Sequence, residues 1–205
     1  RECTPLGNEP FFMWLSYIKP HSPCDPPPPY DTMYKPEDLP PPVKSEEEVA
    51  GYGKEKQWYK SHWDCLTDED IRKFRARYLG NVTLLDEQIG RVMDELEALG
   101  IADNTLIVFS SDHGEHMGDH HFMQKSFFYD CSAKVPLIAA GPGVAEGKTV
   151  AQPVSQIDLL PTFLDYCDLT MPPIRDAAGN PIYAESDFGD ARSLLPALKD
   201  PDALP

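Results

Sequence analysis

The chain alternates between stretches patterned for burial and stretches with no pattern at all. Phe11 to Ile18 is a nearly continuous apolar and aromatic run, which predicts a strand covered on both faces. Ile71, Phe74, Tyr78, Val82, Leu85, Ile89, Val92, Leu96 and Leu99 recur at spacings of three and four, one apolar face of a long helix. Thr67 offers an N-cap hydroxyl, Asp68, Glu69 and Asp70 match the helix dipole, and Gly100 closes the far end. Gly80 and Gly90 lie inside this helix, where they permit close packing or a slight bend. Two short apolar runs follow, Thr105 to Phe109 and Val135 to Ala140, both read as buried strands. Gln156 to Asp168 reads as a short helix with Asp158 near its start and Leu159, Leu160, Phe163, Leu164 and Tyr166 facing inward. Strand, helix, strand is an α/β order, with the long helix as the crossover between parallel strands at Phe11 and Thr105.

Between these elements the chain is irregular. Its 22 prolines concentrate before residue 45 and after residue 170. The stretch from Cys24 through Pro42 cannot enter a sheet interior and is expected to wrap the surface. Glu46 to Glu48 reads as a solvated acidic face. Tyr52, Trp58, Tyr59, His62 and Trp63 allow two readings, packing of the long loop or a stacking platform for a sugar or aryl group. Turns at Met171-Pro172-Pro173, Ala177 to Pro181 and Asp200 to Pro205 make residues 171–205 an irregular segment.

Composition narrows the class. A chain of 205 residues can build one domain with a sizeable core. A formal net charge of −16 argues against nucleic acid as partner, because two polyanions repel. No apolar run is long enough to cross a bilayer. The five cysteines contain no C-x-x-C pair, which argues against a structural zinc site.

Candidate chemistry gathers between Asn104 and Pro142. The run ending at Phe109 delivers Ser110-Ser111-Asp112-His113-Gly114, and ligands of open α/β sheets bind beyond strand ends. A carboxylate and an imidazole side by side there can both reach one metal ion; the bland alternative is a polar loop in which Asp112 caps a turn. Lys125 lies twelve residues beyond His113, after His116, Asp119, His120 and His121. A second set lies after Ile18, where Lys19-Pro20-His21-Ser22-Pro23 should project His21 from an extended, proline-stiffened loop. Each of these has an ordinary alternative, a surface lysine and a surface histidine.

These blocks, Pro10 to Tyr34, Tyr78 to Gly100, Thr105 to His120 with Lys125, Val135 to Gly143 and Val154 to Leu169, run in the order of the sulfatase family and resemble it. That family belongs to the alkaline-phosphatase-like superfamily. The resemblance implies an α/β fold with a mixed, mostly parallel sheet and helices on both faces. Residues 1–170 would be the C-terminal part of the catalytic domain, without its N-terminal nucleophile portion, and 171–205 would lead toward a missing C-terminal subdomain. It assigns Asp112 and His113 to the metal, and Lys125 to a sulfate oxygen. His21 would assist the departing alcohol, and His120 would touch substrate or support the site. His116 and His121 receive no role. The Asp-His-Gly at 112–114 and Lys-Pro-His at 19–21 resemble the iduronate sulfatase branch, which favours Ca²⁺, although an imidazole ligand also suits Mn²⁺ or another divalent ion.

The implied nucleophile is a formylglycine in a C/S-x-P-x-R motif within the missing portion. Cys3-Thr4-Pro5 imitates its start, but Leu6-Gly7 stands where Ser-Arg is expected. The implied activity is hydrolysis of a sulfate ester, with a sulfated carbohydrate or small molecule as partner and the missing portion of the domain as a second one. These residues by themselves are expected to be inactive and to bind metal weakly. A periplasmic, extracellular or lysosome-like compartment follows from the resemblance alone. Phosphonate or phosphate ester hydrolysis and a non-catalytic binding role are the alternatives.

Overall fold

A computed structural model describes residues 9–170, 176–179 and 189–203. Cys3 and the turns at 171–173 and 180–181 therefore lie outside the described residues. Contacts divide the chain into two compact units: Arg1–Glu95 with Glu115–Phe127, and Leu96–Gly114 with Phe128–Pro205.

In the first unit, the short helices α1 (Glu46–Ala50) and α2 (Lys54–Ser61) lead into α3 (Asp68–Ala98). The start of α3 is a reciprocal cap. The Asp70 N–H donates to Thr67 Oγ1 at 3.2 Å, and the Thr67 N–H donates to Asp70 Oδ2 at 3.0 Å. The buried positions of α3 are Ile71, Ala76, Gly80 and Asn81. Most of the predicted apolar face is only half-buried, and Val82 and Leu99 are exposed, contrary to expectation. At Gly80 what packs against the helix is backbone and a proline ring. A Cβ on Gly80 would sit 2.2 Å from the Tyr30 carbonyl oxygen and 3.2 Å from Pro26 Cγ. Gly90 meets nothing within 4 Å, so it has no packing duty.

The proline-rich stretch does lie against this unit, with Pro26 and Pro42 buried. Arg75 on α3 then ties three segments together. Its Nη1 donates to Pro40 O at 3.1 Å, Nε to Met117 O at 2.9 Å, and Nη2 to Asp119 Oδ1 at 2.6 Å. Phe122, fully buried, is ringed by Tyr52 at 5.3 Å, Tyr59 at 5.8 Å and Phe127 at 4.7 Å between centroids. Tyr52 and Tyr59 thus serve the packing reading of the aromatic cluster, while Trp58 remains 64% exposed.

The second unit holds β1 (Ile107–Ser110), α4 (Asp130–Ala133), β2 (Leu137–Ala140), α5 (Leu159–Tyr166) and α6 (Leu195–Lys199). β1 and β2 pair antiparallel, Ile107 opposite Ala140 and Ser110 opposite Leu137. The α/β class holds, but a parallel partner for β1 is not found among the described residues. Phe11 to Ile18 forms no strand there and is exposed along its whole length. A strand exists only through the ladder of a neighbour, and this run has none among the described residues. β2 also departs from a doubly covered strand: Leu137 and Ala139 are half-buried while Ile138 is 60% exposed. Ser155 and Asp158 cap the turn entering α5 reciprocally. Asp158 Oδ1 also accepts the Arg192 N–H at 3.0 Å, and Thr162 Oγ1 accepts the Leu194 N–H at 2.7 Å. Thr162, not Leu160, is the buried contact of α5, because it must reach that backbone.

The two helix glycines should respond oppositely to alanine. Gly80→Ala should lower unfolding stability by about 2 kcal/mol or more, since backbone must move. Gly90→Ala should raise it by about 0.5–1 kcal/mol through helix propensity. Urea midpoints of the two variants check this, and equal effects would contradict the packing described.

Candidate active site

The residues singled out from sequence fall in both units, and each unit is described by itself. In the second unit, β1 ends at Ser110 and the chain turns through Ser111, Asp112 and His113. The Ser111 hydroxyl donates to His113 O at 2.8 Å, and the His113 N–H to Asp112 Oδ1 at 2.9 Å. One carboxylate oxygen therefore stabilises the loop, as the bland reading required. The other, Oδ2, lies 3.5 Å from His113 Nε2. His113 Nδ1 sits 2.8 Å from Gly114 O, an acceptor only, so Nδ1 carries a proton and Nε2 is the ring nitrogen beside the carboxylate. The Gln156 amide donates to the carbonyls of Ser111 and Asp112 and pins the loop from below. Gly114 is required by close approach: its N–H donates to Ser132 O at 2.7 Å, and a Cβ would lie 2.1 Å from Cys131 O.

This donor pair fits a divalent ion in kind, a hard oxygen and an imidazole nitrogen at a shared edge. It is not a complete shell. Among the described residues no group of three or more His, Cys, Asp or Glu is placed to hold a metal.

In the first unit His21 and Lys125 come together, 104 residues apart in sequence, with Lys125 Nζ 3.3 Å from His21 Nε2. His21 Nδ1 lies 2.8 Å from Ser22 O, which assigns the Nδ1–H tautomer and makes Nε2 the acceptor for the ammonium. Both side chains are exposed. The loop carrying His21 is a tight turn, not the extended path expected: the His21 N–H donates to Ile18 O at 3.1 Å, and the Lys19-Pro20 and Ser22-Pro23 bonds are cis. That hydrogen bond closes the turn between Ile18 and His21, so the chain reverses there. Lys19 bridges the Asp25 carboxylate and the Pro23 carbonyl, and that hydrogen bond holds the Asp25 carboxyl below its usual range. Lys125 is placed through Glu115, whose carboxylate accepts the N–H groups of Met117 and Gln124.

His120 is half-buried, with Nδ1 2.9 Å from Glu48 Oε1 and 3.1 Å from Oε2. Glu48 is therefore no solvated acid, and it corrects that reading of Glu46 to Glu48. Beneath His120 lies buried His116, their rings 6.2 Å apart. Burial first, and then the neighbouring His120, hold the His116 pKa below its ordinary value. Sequence reasoning missed Glu48 because its partner is 72 residues away, and no local spacing links them. It also passed over Cys24-Asp25-Pro26, a second imitation of a C-x-P start, with Pro28 where an arginine would stand. Burial and the Glu115 carboxylate push the Cys24 thiol up to about 11, so it is no nucleophile.

The α/β arrangement, with an acid–histidine loop at a strand end, is that of the alkaline-phosphatase-like fold. Within it the chain belongs to the sulfatase family, whose model, described as Sulfatase, matches residues 4–169. An arylsulfatase of Clostridium perfringens is 36% identical over 80% of this chain and 35% of that protein. The multifunctional alkaline phosphatase superfamily protein PehA of Trinickia caryophylli is 34% identical over 92% of this chain and 40% of its own length. Among solved structures, the phosphonate monoester hydrolase SpPMH from Silicibacter pomeroyi superposes with a TM-score of 0.81 at 35% identity, covering 95% of this chain and 38% of that one. The chain thus spans well under half the length of these relatives.

Two titrations test the local environments. At pH 8, iodoacetamide should alkylate exposed Cys65 and Cys167 while sparing Cys24 until urea is added; rapid labelling of Cys24 in the folded state would contradict its raised pKa. For His116 the folded ring resists protonation that the unfolded chain accepts near pH 6.5. Its contribution to stability is thus intact above about pH 6.5 and is lost as pH falls through that value toward the folded pKa. The urea midpoint should fall between pH 7.5 and 5.5 in the native sequence, and His116→Gln should reduce that fall.

Proposed function

We propose that the protein carrying this sequence hydrolyses a sulfate ester, using His21 and Lys125 at the substrate and Asp112 and His113 at a divalent metal. The observation that carries the reading is the Lys125–His21 contact, a cation and an imidazole brought to one point across 104 residues. An ammonium is suited to an oxygen of a sulfate group, whose negative charge it balances. With its Nδ1–H committed to the Ser22 carbonyl, His21 has only Nε2 left to exchange a proton with a departing alcohol. The Lys125 ammonium, now resting on that nitrogen, would move to the sulfate and release it.

A divalent ion, when bound, would neutralise sulfate oxygens and make the sulfur a better electrophile. Asp112 Oδ2 and His113 Nε2 would hold it, and Ca²⁺ is favoured through the resemblance to the iduronate sulfatase branch. The relatives named above are of other kinds, so this finer placement rests on the 112–114 and 19–21 motifs alone. A formylglycine nucleophile is a feature of the family and is assigned to none of the described residues. A sulfated carbohydrate or small molecule is the proposed substrate.

A second reading has its own observation. The phosphonate monoester hydrolase matches 95% of the chain at a TM-score of 0.81, and a phosphonate monoester is also a compact tetrahedral anion. The same Lys125–His21 pair would serve it.

The test assays the protein expressed from its own gene on an aryl sulfate and an aryl phosphonate monoester, after EDTA and after adding back Ca²⁺ or Mn²⁺. Lys125→Ala should lower kcat/KM for the sulfate by about 100-fold or more, and His21→Ala by about 100- to 10,000-fold. Chelation should abolish activity and one of the two ions should restore it. Turnover of the phosphonate alone would favour the second reading, and turnover of neither would end the catalytic one.

A further inference from the structure

We propose that Glu48 is a positioning residue for His120, fixing its tautomer and aim. The inference rests on the reading of His120 as a group that meets the substrate. His120 has φ +56°, a left-handed conformation costly for a residue with a Cβ, and Met117, His121 and Gln124 around it are also left-handed. Such a backbone persists only where neighbours over-determine it, and here they do. The His120 N–H donates to Val43 O at 2.8 Å, and the Tyr52 hydroxyl donates to His120 O at 2.8 Å. Adjacent Asp119 accepts the Val43 N–H at 2.7 Å and the Arg75 guanidinium at 2.6 Å.

With the backbone held, the ring keeps one freedom, its orientation and choice of protonated nitrogen. Both oxygens of Glu48 lie within 3.1 Å of Nδ1. A carboxylate only accepts, so Nδ1 must carry the proton. Nε2 is then the nitrogen through which His120 would meet a substrate, an acceptor in the neutral ring and a donor when the ring is protonated. Glu48 is itself anchored: α1 is capped by Ser45, whose hydroxyl accepts the Glu48 N–H at 3.4 Å. The His116 ring lies 6.2 Å from that of His120 and nearly perpendicular to it.

The experiment uses the protein expressed from its own gene with its active substrate, comparing Glu48→Ala, Glu48→Gln, His120→Ala and the double variant Glu48→Ala/His120→Ala. Glu48→Ala should lower kcat/KM by about 10- to 100-fold, the usual cost of losing the partner that orients a functional histidine. Glu48→Gln, which can still accept from Nδ1, should recover most of that loss. The double variant should be no worse than His120→Ala. A Glu48→Ala enzyme within about twofold of the native one, or full additivity in the double variant, would overturn the proposal. If His120→Ala leaves kcat/KM unchanged, the substrate role of His120 falls instead. In that event ¹⁵N NMR of the ring decides the Glu48 part alone: an Nδ1–H tautomer that becomes mixed in Glu48→Ala supports it, and an unchanged tautomer overturns it.

Discussion

The fork of Arg75 is the interaction on which the first unit depends. A planar guanidinium offers donors in several fixed directions, and here one side chain satisfies two carbonyls and a carboxylate from segments 40 and 117–119. Arg75 and Asp119 are both largely shielded from water, at 12% and 25% side-chain exposure. Removing either would leave a charge in a poor solvent, on the order of 3 kcal/mol. The pair matters less for net stability than for uniqueness. It fixes where the loop of residues 117–121 lies against α3, and hence where His120 can be. A lysine could match the charge but could not reach all three acceptors.

That loop shows how strain and function sit together. Four non-glycine residues within eight positions adopt left-handed conformations, each costing roughly 1–2 kcal/mol by ordinary sterics. A chain selected for stability alone would place glycines there. Instead it places Met117, His120, His121 and Gln124, so the side chains must be worth the backbone cost. The buried Phe122 and its ring of tyrosines supply part of what offsets it. Strained backbone of this kind gathers where side chains carry a function.

What could be read in the sequence was what is local. The long helix, its Thr67–Asp70 cap, the acid–histidine turn after β1 and the Asp158 start of α5 all follow from residues a few positions apart. What could not be read depends on distant partners. The run Phe11 to Ile18 has a strand's composition, yet a strand is a relation between segments, and no partner lies among the described residues. The antiparallel pairing of β1 with β2 is invisible for the same reason, since alternation and length say nothing of direction. Glu48 looked like one acid in a row of three; only a histidine 72 residues on distinguishes it from its neighbours.

The charge of the chain poses the remaining physical problem, because −16 overall repels the anionic substrate the site is read to bind. The Debye length, about 8 Å at physiological ionic strength, resolves it. Charges farther off than that are largely screened at the surface, so a substrate group responds to what lies within a few ångströms. At the His21 turn those groups are the Lys125 ammonium and an imidazole, while Asp25 on the same turn is paired with Lys19. At the β1 turn the sign reverses, with Asp112 85% exposed beside His113. A cation is attracted to one place and an anion to the other. Charge at each turn is thus set locally, and the net charge of the chain neither provides nor forbids it.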